Sequence, residues 1–238
     1  MTGVQTCALP IWPTLTHAIL PGSPLINAGS NPAALTTDQR GFNRVEGGGI
    51  DIGAFESKLA PTVRNVVING GATQRSRVTS VTVNLDSVVT FSGAAVNAFT
   101  MKRQSDNAIP LLSAAVANGA TTSVTLTFLA GPAVDFTSLA DGRYTLTVDQ
   151  SKVSANSAQL DGNADGTGGD SFVLTGTPAN GLFRLFGDAD GDGTIAASDF
   201  IQFRLAFGGI NPIFDFDNDG AVAASDFIQF RLRFGGSI

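Results

Sequence analysis

Charged residues are scarce in this sequence, and several reactive residue types are almost missing. Only 14% of the 238 residues are charged, with one cysteine, one histidine and two glutamates. A single cysteine excludes an intrachain disulfide. The net charge is −6, and this acidic balance argues against nucleic acid as a partner, because phosphate binding needs clustered Lys and Arg.

Long apolar runs are also missing, so no membrane span is predicted. Residues 1–11 read Met-Thr-Gly-Val-Gln-Thr-Cys-Ala-Leu-Pro-Ile and lack the basic start and long apolar core of a signal peptide. They resemble a translated sequencing adapter. We therefore expect residues 1–11 to be an artefact that includes Cys7, with the true N-terminus lost upstream. A natural unstructured N-terminus is the alternative.

No catalytic constellation is evident in the sequence. His17 stands alone in a stretch rich in Pro and Thr, and Glu46 and Glu56 both lie near the N-terminal end. Neither a Cys/His zinc spacing nor a phosphate-binding glycine loop is present. The sequence predicts a non-catalytic fragment, and any enzymatic activity of a longer parent would depend on upstream residues.

An acidic loop followed by a helix-forming run is present twice near the C-terminus, 27 residues apart. Calcium takes six to eight oxygen ligands, and an EF-hand loop supplies them from its first, third, fifth, seventh and twelfth positions, with glycine at the sixth. The sixth positions are Gly193 and Gly220, and the seventh positions, which donate a backbone carbonyl, are Thr194 and Ala221. The two loops therefore predict two calcium ions. The carboxylate positions are Asp188, Asp190, Asp192 and Asp199 in the first loop, and Asp215, Asp217, Asp219 and Asp226 in the second.

The eighth loop positions are apolar, and in paired loops Ile195 and Val222 can exchange a short β-bridge. An ordinary cluster of acidic turns is the alternative to a metal site, but a single cluster would not explain two matching copies. Without metal, the crowded carboxylates repel each other, so we expect the apo module to be loose or unfolded.

Each loop runs into an unbroken helix former, Phe200–Phe207 in the first copy, which ends at a diglycine. Phe200, Phe203 and Phe207 form one stripe of this helix, and Ile201 and Leu205 form another. One stripe can be buried by pairing the two helices. For the other we expect an intramolecular cover from Phe183, Leu185, Phe186 or residues 210–214, and a protein partner is the alternative.

Residues 187–236 resemble a type I dockerin, a tandem EF-hand-type module with a single helix after each loop. The resemblance implies an extracellular location and binding to a cohesin-like protein that tethers polysaccharide-degrading enzymes. Dockerins often carry a hydroxyl pair just before the twelfth ligand, where this chain has Ala-Ser. The residues expected at a partner surface are Ala197, Ser198, Phe203, Arg204, Ala224, Ser225, Phe230 and Arg231.

Residues 62–180 contain short runs that alternate polar and apolar residues, which is typical of strands with one buried face. About seven strands in ~120 residues fit an immunoglobulin-like or cadherin-like β-sandwich. For Tyr144 we expect core packing, with a tyrosine corner as the alternative. The predicted strands are Val63–Asn69, Ser80–Leu85, Phe99–Arg103, Ser123–Leu129, Arg143–Asp149 and Ser171–Thr175.

A third acidic loop lies inside this region, where Asp161, Asn163 and Asp165 occupy the first, third and fifth positions of a possible metal loop. Its twelfth position is Phe172, which cannot bind a metal. A plain turn between strands is an equal alternative.

The segment before the sandwich is rich in turn residues and too short for a core of its own. It contains the runs Leu20-Pro-Gly-Ser-Pro-Leu-Ile-Asn-Ala-Gly, Asp38-Gln-Arg-Gly and Asp51-Ile-Gly-Ala-Phe-Glu. These resemble the C-terminal end of bacterial right-handed parallel β-helix proteins. The resemblance implies that residues 12–56 are the last turn of a β-helix, joined to the sandwich by a linker at residues 57–61.

The sequence as a whole predicts a mainly β multidomain fragment of a secreted bacterial protein. It would comprise a β-helix remnant, a β-sandwich and a dockerin-like calcium module at residues 181–238. The leading hypothesis is calcium-dependent docking to a protein partner. One alternative is the accessory tail of an extracellular polysaccharide-degrading enzyme, such as a lyase or glycoside hydrolase, that could bind carbohydrate upstream. Another is a calcium-locked structural cap.

Overall fold

The structure is a computed structural model that describes residues 15–20, 23–45, 49–57, 60–155 and 158–238. The described residues are mostly β with two α-helices, which confirms the predicted mainly β class. The predicted adapter stretch, residues 1–11, lies outside the described residues, as does part of the predicted linker.

The described residues between positions 15 and 57 are held by turns and buried carboxylates. No helix or multi-residue strand lies in the described residues before Val63. The buried Asp51 carboxylate accepts hydrogen bonds from the backbone amides of Asn27 (2.8 Å) and Ser57 (2.6 Å). Burial raises the pKa of Asp38, but hydrogen bonds from Glu56 and Arg40 outweigh burial and hold that pKa below its ordinary value. The β-helix resemblance of this segment stays a prediction.

Four antiparallel strands form the first sheet, in the order β1 (Val63–Ile68), β2 (Ser80–Leu85), β6 (Thr122–Leu129) and β5 (Leu111–Asn118). Side chains alternate across each strand, so that Val81, Val83 and Leu85 of one strand all point into the core. Three of these strands were predicted to within one residue, whereas the eight-residue β5 was missed.

The second sheet is built around β9, which pairs with β4, β12 and β13. These strands are β4 Phe99–Arg103, β9 Gly142–Val148, β12 Phe172–Thr175 and β13 Phe183–Arg184. The sequence predicted β4, β9 and β12 to within one residue but did not predict β13. Short strands complete the region: β3 Thr90–Phe91, β7 Val134–Asp135, β8 Ser138–Leu139, β10 Val153–Ala155 and β11 Ala158–Gln159.

The two sheets share one apolar core, which contains Val81 and Leu126 from the first sheet and Met101 and Leu146 from the second. Tyr144 is fully buried in this core. Its hydroxyl also donates to the backbone carbonyl of Ala140, four residues upstream, at 2.7 Å. Core packing and the corner-type hydrogen bond are therefore both present. The immunoglobulin-like assignment of this pair of sheets stays a prediction.

Two α-helices follow the acidic loops: α1 spans Ala197–Ala206 and α2 spans Ala224–Arg233. Each begins at the Ala-Ser pair before the twelfth loop position and ends before its diglycine. The predicted module boundary at residue 181 lies just before β13, which hydrogen-bonds to β9 and so joins the module to the second sheet. The helices share a second apolar core, formed by Phe183, Leu185, Phe186, Ala189, Ile195, Phe203, Phe214, Val222 and Phe230.

The two loop-helix copies exchange backbone hydrogen bonds reciprocally. The Ile195 amide donates to Gly236 and its carbonyl accepts from Gly235, both at 2.9 Å. Val222 makes the equivalent pair with the diglycine after α1, at 2.9 and 2.8 Å. The expected bridge between Ile195 and Val222 is therefore wrong. Each eighth position pairs instead with the end of the opposite copy.

Candidate metal centre

The first acidic loop wraps around the buried carboxylate of Asp188. One oxygen of this carboxylate accepts from the amide of Gly191 (2.7 Å), and the other accepts from Gly193 (3.0 Å). Asp192 accepts from the amide and the hydroxyl of Thr194, both at 2.7 Å. These local hydrogen bonds turn the chain so that its alternate carboxylates face one side.

The second loop repeats this arrangement. The oxygens of Asp215 accept from the amides of Asp219 (3.1 Å) and Gly220 (3.0 Å), and Asp219 accepts from Ala221 (2.9 Å). The sixth positions, Gly193 and Gly220, have φ angles of 86° and 94°. L side chains are disfavoured in this region, which explains why both copies have glycine at the turn.

Each loop brings three carboxylates together. Oxygens of Asp188, Asp190 and Asp192 all lie within 4.8 Å of one another, and so do those of the equivalent second-loop residues. Such crowding costs energy through repulsion unless a cation is present. The donor set contains only oxygen, which suits hard cations such as Ca²⁺ or Mg²⁺. The two triplets therefore fit a divalent ion each, and the second comprises Asp215, Asp217 and Asp219.

The twelfth positions lie at the helix starts rather than in the triplets. Asp199 is fully buried, and its oxygens accept from the amides of Ala189 (2.9 Å) and Ala196 (2.8 Å). Asp226 accepts from Phe216 (2.6 Å) and Ala223 (2.8 Å) in the same way. Each carboxylate thus ties the start of its loop to the first turn of its helix. Their role as metal ligands stays a prediction, as does that of the Thr194 and Ala221 carbonyls.

The third acidic loop closes on itself. Asp161 is 2% exposed, and its carboxylate accepts from the amides of Asp165 (3.2 Å) and Gly166 (2.7 Å). The Asn163 amide donates to Asp170 (2.9 Å), so this segment is a hydrogen-bonded turn between β11 and β12. In the described part of the chain, its carboxylates do not form a triplet like those of the two C-terminal loops.

The electrostatics of the first loop fit a cation site. The pKa of Asp188 is raised to about 6. Burial is the largest cause and the charges of Asp199 and Asp192 add to it, whereas hydrogen bonds from Gly191 and Gly193 act in the opposite direction. A buried carboxylate with like-charged neighbours is unfavourable as an anion. A divalent cation would remove that penalty.

The comparisons with known proteins identify no relative. The chain matches no family model, no curated protein and no solved structure. Neither helix in the described ranges has the length and apolarity to cross a membrane.

Each helix carries an apolar stripe that is open to solvent. Leu205 is 83% exposed and Leu232 73%, while Ile201 and Ile228 are 59% and 57% exposed. The expected intramolecular cover of this stripe is therefore wrong. Phe183, Leu185, Phe186 and Phe214 pack against the Phe203 and Phe230 stripe instead.

Two clefts of nearly equal size flank the helix pair. One has a volume of about 240 Å³ and contains Arg231, and the other, of about 230 Å³, contains Arg204. Phe203 and Phe230 are each 1% exposed and would meet a partner only at the cleft floors. The remaining residues expected at a partner surface, Ala197, Ser198, Ala224 and Ser225, are exposed at the helix starts.

Sequence reasoning missed the segment that holds both loops from the sandwich side. The Arg75 amide donates to the Asp188 carbonyl (2.9 Å), and the Arg77 guanidinium donates to the Asp215 carbonyl (2.5 Å). Ser76 lies between them and is fully buried. No periodicity or motif marks these residues in the sequence, because their partners lie more than a hundred positions away.

Proposed function

We propose that residues 181–238 bind two calcium ions and present a docking surface to an extracellular protein partner, without a catalytic role. The observation that carries the proposal is the pair of carboxylate triplets, whose oxygens lie within 4.8 Å of one another at equivalent positions of two loops. Each loop also has a preformed turn at its sixth residue. One such turn cluster is common, but two related by the same repeat support a dedicated site.

Calcium fits these loops better than other divalent ions. The predicted ligand set of four carboxylates and a backbone carbonyl has no nitrogen or sulfur donor, which disfavours zinc and copper. Magnesium keeps several waters and usually takes only one or two carboxylates, whereas calcium accepts larger and more flexible oxygen cages. Calcium sites of extracellular modules commonly bind with dissociation constants of about 10⁻⁴–10⁻³ M. We expect dissociation constants within that range or smaller.

The exposed apolar residues of the two helices support docking. Exposed apolar surface marks interaction sites, and Leu205 and Leu232 are among the most exposed apolar residues of the described chain. Arg204 and Arg231 contribute the positive charge next to the two clefts. The partner surface that fits is apolar with acidic residues around it.

A calcium-locked structural cap is the second candidate. Its support is the set of hydrogen bonds from Arg75 and Arg77 to the two loops, which hold the module against the sandwich. A cap would need calcium for stability, but its function would not require exposed leucines.

The test uses the full chain immobilised with and without calcium, exposed to extracellular proteins. A Leu205→Glu/Leu232→Glu double variant should still bind two calcium ions, because both side chains point to solvent, but it should lose a partner that wild type retains only with calcium. Val116→Glu, at an exposed apolar site on β5, is the matched control. Equal retention by all three proteins would contradict docking through the exposed leucines.

A further inference from the structure

One short segment of the sandwich contacts both loops at the same place. Residues 73–77 precede β2. Within them, the Arg75 amide donates to the carbonyl of Asp188 (2.9 Å), and the Arg77 side chain donates to the carbonyl of Asp215 (2.5 Å). Asp188 and Asp215 are the first carboxylate of each loop. Two residues of the sandwich, two positions apart, therefore hold equivalent atoms of the two copies.

The single hydroxyl group of Ser76 hydrogen-bonds to the backbone just before each of the two loops. Its oxygen donates to the Ile213 carbonyl (2.6 Å) ahead of the second loop and accepts from the Gly187 amide (2.8 Å) ahead of the first. Ser76 is 0% exposed, so water cannot readily replace either hydrogen bond if the hydroxyl is removed.

The first loop also lies directly against this segment. Gly191 has a φ of 81°, and a Cβ placed on it would lie 2.0 Å from the carbonyl oxygen of Thr73. The backbones thus approach more closely than any side chain would permit. The contact is set by the shape of the loop, which depends on the carboxylates that a metal would gather.

We infer that residues 73–77 are a positioning element for both calcium loops, so that the docked sandwich raises their calcium affinity. The inference rests on the proposed calcium function. Because coupling between two equilibria is reciprocal, calcium must tighten the contact with residues 73–77 by the same factor by which the contact tightens calcium binding. Ser76 acts through the backbone just before each loop and is not itself a ligand.

Ser76 offers a sharper test than its arginine neighbours. Removing Arg75 or Arg77 would also remove a positive charge near the carboxylates, since Asp188 interacts with Arg75 and Asp215 with Arg77. Ser76→Ala changes no charge. In the full chain, calorimetry should show calcium affinity reduced about tenfold, within the ~5–150-fold range of typical coupling. Ser76→Thr keeps the hydroxyl and should recover most of the affinity.

Thr122→Val is the matched control for Ser76→Ala. Thr122 is another fully buried hydroxyl of the sandwich, which accepts from the Val89 amide (3.0 Å) and donates to Asn118 (2.7 Å). Thr122 lies at the β5–β6 turn, and these two hydrogen bonds are to residues of the sandwich rather than to residues next to the loops. Its loss should destabilise the sandwich without changing calcium affinity. An equal loss of affinity in both variants would mean that general destabilisation explains the result and would overturn the inference.

Hydrogen exchange of the wild-type chain gives a second readout that needs no variant. Calcium should slow exchange of the Arg75 amide, which donates to the first loop. If wild type binds two calcium ions but this amide is unaffected, or if Ser76→Ala keeps wild-type affinity, the inference fails and the calcium function stands. If wild type binds no calcium, both fail.

Discussion

The two loop-helix copies have nearly the same sequence and similar internal hydrogen bonds, yet they contact the rest of the chain differently. The first copy is held mainly through backbone, with Arg75 on Asp188 and Gly191 against Thr73. The second copy is held mainly through arginine side chains. Repeated residues therefore specify the loop and helix, and unrepeated residues specify how each copy is attached.

The asymmetry extends to the helix ends. Arg233 closes α2 by pairing with Asp141 of the sandwich and lies over the ring of Phe216 at 5.2 Å. Asp141 also pairs with the fully buried Arg184, at 2.8 Å. The equivalent residue of α1 is Ala206, which has no charge to offer. Only the second helix is thus tied by an ion pair at this position.

The largest expected effect tests whether the copies share one core. Phe203 and Phe230 occupy equivalent positions, are each 1% exposed, and have ring centroids 4.7 Å apart. Changing either to Ala should cost about 3–5 kcal/mol of unfolding free energy, because a large buried ring leaves a cavity. Thermal or urea unfolding of the full chain with calcium would measure it. Phe207→Ala, at a half-exposed ring, should cost much less, and an equal cost would argue against a shared core.

The next effect tests whether the copies are equivalent as metal sites. Asp190→Ala and Asp217→Ala each remove one carboxylate of a triplet, so calorimetry should find one tight calcium site in place of two. Each variant should lose about 2.7 kcal/mol of stabilisation when calcium is at 100 times the dissociation constant. Two tight sites remaining in either variant would contradict the assignment of that triplet.

The smallest change in stability is expected from Arg233→Ala, which tests whether the ion pair with Asp141 attaches the second copy to the sandwich. Arg233→Ala should cost about 1 kcal/mol, because the ion pair with Asp141 is only partly shielded from solvent. Arg231→Ala, at an exposed arginine on the same helix, should change stability by less than about 0.5 kcal/mol. Chemical unfolding would compare the two. Equal losses of unfolding free energy would show that the ion pair with Asp141 does not stabilise the protein.

Local signals allowed much of the fold to be predicted. Alternation marked six strands, and Asp spacing with Gly193 and Gly220 marked both loops. The helix after the first loop was predicted from Phe200 but begins three residues earlier, at Ala197. Strand β5 was missed because its sequence, Leu-Leu-Ser-Ala-Ala-Val-Ala-Asn, is poor in the β-branched and aromatic residues that favour strands. It is defined by its partner β6, with which it pairs along its whole length.

The predictions that the structure contradicts concern contacts between residues far apart in the sequence. The cover expected over Leu205 packs instead on the phenylalanine stripe, because Phe203 and Phe230 offer more apolar area to bury. Ile195 pairs with the diglycine after α2, 40 positions away, rather than with Val222. The role of Ser76 had no local signal. Such choices depend on which surfaces meet in three dimensions, which spacing along the chain does not reveal.

The central claim is that the two carboxylate triplets bind calcium and thereby order the C-terminal module. A calorimetric calcium titration of the full chain, with circular dichroism before and after, tests it most directly. We expect two ions per chain and a gain of helical signal from α1 and α2, reversed by chelation. Absence of binding at millimolar calcium would rule out both metal sites and leave the loops as self-contained acidic turns.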